Sequence, residues 1–195
     1  MLIYGGSTAT GILGIQFAKL SGAKVAATCS PRNFSLVKSL GADAVFDYQS
    51  PNVSADIKAW GNNAIAHAWD CVVTSESTRI CAAAIGDAGG QYHALLPFDT
   101  EIIKAANPNV KGSNSIMYTS FGEKIDKRGE IPAIPEDYQF SKMFWELSRN
   151  LLAEGKVKPV KPDVNRGGKG LEGVLFGIEE LRQNRVSGTK LVYTL

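Results

Sequence analysis

The sequence predicts an α/β fold in which a parallel sheet is flanked by helices. Two observations carry this expectation. Short apolar runs alternate with helical segments through the first half of the chain, the rhythm of strands wound with crossover helices. The turn GGSTATG, residues 5–11, joins the first apolar run to the first helical segment, and there glycine permits a tight bend.

Taken in chain order, Leu2 to Tyr4 reads as the end of a buried strand, and Leu13, Phe17 and Leu20 recur at helical spacing until Gly22 closes the helix. KVAATC is a second strand. Ser30 before Pro31 starts a helix with an apolar stripe at Phe34, Val37 and Leu40, ended by Gly41. DAVFDY reads as a third strand, AWDCVV as a fourth, Ser75 to Ile85 as a helix, and GGQYHALL as a turn and fifth strand. From Asp99 to Pro135 periodicity is lost, apart from one candidate strand in SNSIMYTS, which suggests a loop that varies with function. Phe140, Phe144, Leu147 and Leu151 mark a long helix, with Gly155 just past its end. KVKPVKPDV is extended, with its prolines best placed at an edge. Leu171, Val174, Leu175, Ile178 and Leu181 form a last helix before the strand GTKLVYTL.

The totals narrow the function. A chain of 195 residues accommodates one substantial core, or one domain with part of another. The 21 basic and 19 acidic residues leave a net charge of +2 with no dense basic run, so no nucleic-acid partner is expected. No apolar run reaches membrane-spanning length and the first residues are not a signal peptide, so a cytoplasmic protein with no membrane partner is expected. Cys29, Cys71 and Cys81 lack CxxC spacing and sit in apolar stretches, which fits reduced thiols and no metal site.

The chemistry concentrates in the glycine-rich turn. Gly5 and Gly11 lie six residues apart between strand and helix, where backbone amides can face a pyrophosphate. Thr8 stands where a dinucleotide fingerprint has its middle glycine. Ser7, Thr8 and Thr10 can supply hydroxyl donors instead. Small residues suit any strand-to-helix turn, but both flanks here favour the cofactor reading of a Rossmann-type sheet. The second strand ends in TCSPRN, without the acid that usually holds the ribose hydroxyls for NAD; Ser30, Arg32 and Asn33 offer donors and a positive charge instead. The expected cofactor is therefore NADPH, against the alternative of a plain helix cap beside an exposed arginine.

Other constellations are thin. His93 lies in a strand and reads as structural, Asp47 and Asp70 as loop or capping acceptors, and neither His67 nor His93 stands in a nucleophile motif. Tyr48, Tyr92, Tyr118 and Tyr138 are each a core or surface residue or a proton donor, and no catalytic residue is assigned.

The stretches IYGGSTATGILGIQFAKLSGAKVAATCSPRNFSLVKSLGADAVFDY, AAIGDAGGQYHALLPF and LLAEGKVKPV through LVYTL resemble the medium-chain dehydrogenase/reductase superfamily, and more narrowly its fungal trans-acting enoyl reductases of polyketide biosynthesis. The resemblance implies a Rossmann domain over about residues 1–125, followed at 126–195 by helices and strands of a GroES-like catalytic domain. It places the pyrophosphate of NADPH on Gly5, Gly6 and the run from Ser7, Thr8, Ala9, Thr10 and Gly11 to Gly14. Ser30, Pro31, Arg32 and Asn33 surround the 2′-phosphate, Tyr48 the adenosine, Leu95 and Leu96 the nicotinamide side, and Val192 and Tyr193 the far wall. The implied reaction delivers hydride to the β-carbon of an α,β-unsaturated thioester on an acyl carrier protein, with protonation at the α-carbon. A member of that family carries most of its catalytic domain before the first Rossmann strand. The last strands here are therefore expected to lack sheet partners and to expose edges for self-association or docking to a polyketide synthase. A non-catalytic NADPH-binding or docking module, a repurposed non-redox catalyst, and a quinone or simple enone reductase are the other readings.

Overall fold

In the computed structural model, residues 1–126 and 129–195 are described. The first part is a strand-helix alternation: β1 (Leu2–Tyr4), α1 (Ala9–Leu20), β2 (Ala26–Cys29), a 3-10 turn (Pro31–Asn33) running into α2 (Phe34–Ser39), β3 (Ala44–Asp47), α3 (Val53–Trp60), β4 (His67–Asp70), α4 (Ser75–Ala84), β5 (Gly90–Ala94), α5 (Thr100–Ala106) and β6 (Val110–Asn114). The six strands form one parallel sheet in the order β3-β2-β1-β4-β5-β6. Pairing Leu2 with both Ala26 and Ala68 puts the strand-order reversal at β1 and β4.

Two apolar layers sandwich the sheet. One face packs Leu2, Tyr4, Ala68 and Tyr92 against α3, α4 and α5; the other packs Ile3, Ala27 and Cys29 against α1 and α2 through Ile15 and Val37. The face of α1 that meets the sheet is Ile12 and Ile15, not the predicted stripe of Leu13, Phe17 and Leu20. That stripe looks the other way, where Phe17 meets Phe144 at a ring-centroid distance of 5.1 Å. The helix is apolar on both sides because two neighbours sandwich it.

Beyond β6 come a 3-10 segment (Met117–Phe121), a short antiparallel ladder of β7 (Ile125–Asp126) and β8 (Glu130–Ile131), α6 (Pro135–Ala153), β9 (Pro162–Val164), α7 (Gly170–Arg182) and β10 (Lys190–Val192). Several sequence expectations change. Helix α3 occupies a stretch whose pattern suggests no element, and the expected loop after Asp99 contains α5, capped by the Asp99 carboxylate on the Glu101 amide. The strand expected in SNSIMYTS lies earlier, at β6. The last strands do have partners: β9 and β10 pair with each other in parallel, leaving their outer edges open. Finally, α7 packs its Gly173 and Gly177 against the ring of Tyr193 and turns its leucines outward, with Leu171 72% and Leu175 67% exposed. Glycine permits the aromatic approach that a side chain would block.

Candidate cofactor-binding site

Every parallel strand ends at the same edge of the sheet. The loops after β1, β2, β3 and β4 converge there, at the switch point where such sheets bind ligands. Between them lies a cleft of about 820 Å³.

The glycine-rich turn forms its floor. Gly5 adopts a left-handed φ of 82°, and a Cβ on Gly11 would run into the Gly5 carbonyl oxygen, so both glycines are required for the bend. Thr8 holds the turn shut: its hydroxyl donates to the Gly5 carbonyl (2.8 Å) and accepts from the Gly11 amide (3.0 Å). The donor expected of Thr8 is thus spent inside the turn. The amides of Ala9 and Thr10 open α1 and have no carbonyl one turn behind them, while Ser7 lines the cleft directly. Thr10 faces a neighbouring apolar groove with Leu13, Phe17, Trp69 and Phe144.

The loop after β2 supplies one rim. Ser30 precedes the 3-10 turn without a capping side-chain hydrogen bond, and Pro31 is exposed beside it. Arg32 reaches the cleft and makes no ion pair among the described residues. Asn33 is buried, and its amide donates to the Ser187 hydroxyl at 2.7 Å. Tyr48, after β3, lies in the cleft with its ring tilted on Tyr4 at 6.3 Å. Cys29 is 2% exposed at the cleft wall; burial, with the nearby Asp47 carboxylate adding, pushes its thiol up to about 11.

The loop after β4 is fixed by a fully buried carboxylate. Asp70 accepts from the amides of Val72 and Val73, both at 2.9 Å, and from the hydroxyls of Ser77 (2.6 Å) and Tyr92 (3.0 Å). Four donors repay the desolvation of one anion. Val73 takes a φ of 60°, a strained choice for a β-branched residue, and Thr74 with Ser77 forms a capping box on α4. Burial holds the Tyr92 phenol far above its ordinary pKa, and the side chain lies inside the core, so it is not a proton donor to a ligand.

Not every expected residue reaches this cleft. Leu95 and Leu96 follow β5, half-buried and exposed respectively, away from the cleft lining. Val192 lies in β10, and Tyr193 donates its hydroxyl to the Arg166 carbonyl beneath α7. In their place the segment between α7 and β10 closes the cleft opposite the turn, through Asn184, Val186, Ser187, Gly188 and Thr189, with Leu191 of β10 beside it. Only its polarity and its two flanking elements marked it in the sequence. His93 bridges the Ser113 and Ser115 hydroxyls, each at 3.0 Å, between β5 and the loop beyond β6. Burial lowers its pKa.

The order of this sheet and the glycine turn at its switch point define a dinucleotide-binding fold of the Rossmann class. The chain belongs to the zinc-binding dehydrogenase family, whose profile matches residues 9–125. Among the described residues no three His, Cys, Asp or Glu side chains gather to hold a metal, so zinc has no fitting site in this part. The chain is 43% identical to the trans-enoyl reductase ACTTS2 of Alternaria alternata over 195 residues, 100% of this chain and 54% of that protein. It is 48% identical to the dual trans-enoyl reductase/FAD-dependent monooxygenase tazHJ of Aspergillus terreus over 188 residues, 95% of this chain and 26% of that one. It therefore spans about half or less of these relatives. A mycobacterial protein, Rv1454c, solved in complex with NADPH, shares the fold with a TM-score of 0.73 at 18% identity, over 100% of this chain and 56% of that one.

Proposed function

We propose that this chain is the NADPH-binding part of a trans-enoyl reductase acting on α,β-unsaturated polyketide thioesters. One observation carries the reading: an Arg32 without an ion pair among the described residues and a glycine-rich helix start share one cleft, with no acid at the end of β2 to repel a 2′-phosphate. The names of its relatives supply the reaction class. Bound NADPH would supply the hydride. The chain's own residues would hold the pyrophosphate on the amides of Ala9 and Thr10, the 2′-phosphate at Arg32, and the adenosine against Tyr48. Residues 1–125 would form the cofactor domain and 126–195 part of the catalytic domain, in a cytoplasmic protein.

The partner we propose is a polyketide synthase presenting an acyl-carrier thioester. The open outer edges of β9 and β10 and the exposed leucines of α7 also support self-association. The same exposed face favours a second reading, a non-catalytic docking module that binds NADPH without reducing anything.

Calorimetric titration of the chain with NADPH and NADH tests the cofactor reading. Micromolar binding of NADPH is expected, weakened about tenfold or more for NADH and for Arg32→Ala. Equal binding of both cofactors would remove the specificity claim, and no binding of either would overturn the reading. Stoichiometric NADPH oxidation with an enoyl thioester then separates the reductase from the docking module.

A further inference from the structure

We propose that Asn33 is a positioning residue that fastens the segment 184–191 across the cleft and turns the Ser187 hydroxyl proton toward bound NADPH. This inference rests on the NADPH reading above and replaces a direct phosphate contact by Asn33 with an indirect one.

Asn33 is 8% exposed, so its amide is not free in solvent. It donates from Nδ2 to the Ser187 oxygen at 2.7 Å, across 154 positions of sequence. Among the described residues, the other hydrogen bonds of the segment stay within the C-terminal part: Thr189 to the Lys161 carbonyl, Lys190 to the same carbonyl, and Arg185 to Glu180. Among the described residues, the hydrogen bond from Asn33 is the one that ties the segment to the loop after β2. Packing supports it. Gly188, at a φ of 67°, lies so close that a Cβ there would stand 3.0 Å from Leu36 and 3.1 Å from the Asn33 side-chain oxygen.

The donor arithmetic then sets the role of Ser187. A hydroxyl that accepts from an amide keeps its own proton to give, and Ser187 lines the cleft that also holds Arg32 and Thr8. Ordering this wall before the cofactor arrives lowers the cost of binding.

Three variants test the proposal: Asn33→Ala, Ser187→Ala and the double change, with Ser187→Thr as the conservative control. Each single alanine variant should weaken NADPH about tenfold, the value of one lost hydrogen bond with its ordering, and the double variant should be no weaker than either single one. Ser187→Thr, which keeps the hydroxyl, should bind like the parent. Amide hydrogen exchange of 184–191 in the cofactor-free chain should rise in Asn33→Ala while β1 to β5 stay protected. Additive losses, or unchanged exchange in the segment, would overturn the proposal, because Asn33 would then act on the cofactor by itself. If the parent chain bound neither NADPH nor NADH, the function reading and the role given to Ser187 would both fall, while the exchange measurement would still decide whether Asn33 fastens the segment. If Asn33→Ala does not fold, Ser187→Ala, on a half-exposed residue, carries the same two readouts.

Discussion

Two glycines of one helix and its neighbouring turn separate two reasons for being glycine. At Gly11 the backbone is ordinary but a Cβ would meet the Gly5 carbonyl, whereas Gly22 has a φ of 80° with open space around it. Gly22→Ala should therefore cost about 1 kcal/mol of backbone strain and leave NADPH binding intact. Gly11→Ala should cost roughly 1–3 kcal/mol and also abolish binding, since the turn must open. Urea denaturation with cofactor titration checks both. Asp70 is the other decisive residue. Asp70→Asn aims an NH₂ group at a site built of donors, and should lose about 2–4 kcal/mol, against about 1 for Tyr92→Phe. At this scale the sequence was readable where backbone geometry forces a residue type. Gly5 and Gly11 announced the turn, and Asp70 its acceptor role. The partners of Thr8 and Asn33 were not readable, because a hydroxyl satisfied within its own turn, or an amide satisfied by a distant segment, is written with the same letter as one offered to a ligand.

Helix α1 carries the joint between the sheet and the C-terminal part of the chain. Gln16 is 7% exposed; its amide donates to the Lys158 carbonyl (3.0 Å), and its oxygen accepts from the Lys158 amide (2.8 Å). Gln16→Ala should raise exchange across residues 156–160 and cost about 1–2 kcal/mol, with β1 to β5 unaffected. A second tie joins α1, β2 and β3. Asp43 accepts from Lys19 Nζ and from the Val25 amide (2.7 Å), and the hydrogen bond from Lys19, then that from Val25, holds its carboxyl below the usual value of 3.8. A depressed carboxylate stabilises fully above about pH 3.8, and that contribution is lost as pH falls through the lower folded-state value. Asp43→Asn should lower stability at neutral pH by about 1 kcal/mol at most, after screening by solvent, and flatten the acid limb of stability below about pH 4. Strands β1 to β5 and their order of appearance were legible because burial leaves short apolar runs, whereas β6, exposed at four of its five residues, was placed too late in the chain. Helices α3 and α5 were not legible, since eight and seven residues span about two turns, too short a run for a helical period to stand out. The leucines of α7 misled in the opposite sense: a stripe at helical spacing indicates a face that seeks cover, and the described chain covers its glycine face instead.

Over the whole molecule, apolar side chains are unevenly covered. The sheet buries its aliphatic residues almost completely, while Phe140, Trp145, Leu171 and Leu175 are 60–72% exposed on α6 and α7. We expect light scattering after size exclusion to show mass rising with concentration in the micromolar range, and Leu171→Lys with Leu175→Lys to suppress that rise. A clean monomer throughout would remove the case for self-association. The fold class was legible at this scale because strand-helix alternation fixes a parallel sheet, and right-handed crossovers fix its winding. The second wall of the cleft was not, because it comes from a segment distant in sequence, joined among the described residues by the Asn33 hydrogen bond and by packing beside Leu36. The thiols show a final consequence of this uneven burial. Cys29 stands at the cleft, and burial pushes its thiol up to about 11, so thiolate is scarcer there than at an exposed cysteine; Cys71, pushed up to about 12, behaves the same way. An enoyl thioester is a Michael acceptor, and a thiolate beside it would add to the β-carbon and alkylate its own host. Under the proposed function the chain would meet such electrophiles, and its buried sulfur nucleophiles would be held out of that reaction. Incubation of the folded chain with a simple enone at about pH 7 should accordingly leave Cys29 and Cys71 unmodified by peptide mass mapping, whereas urea unfolding should make both sulfurs reactive.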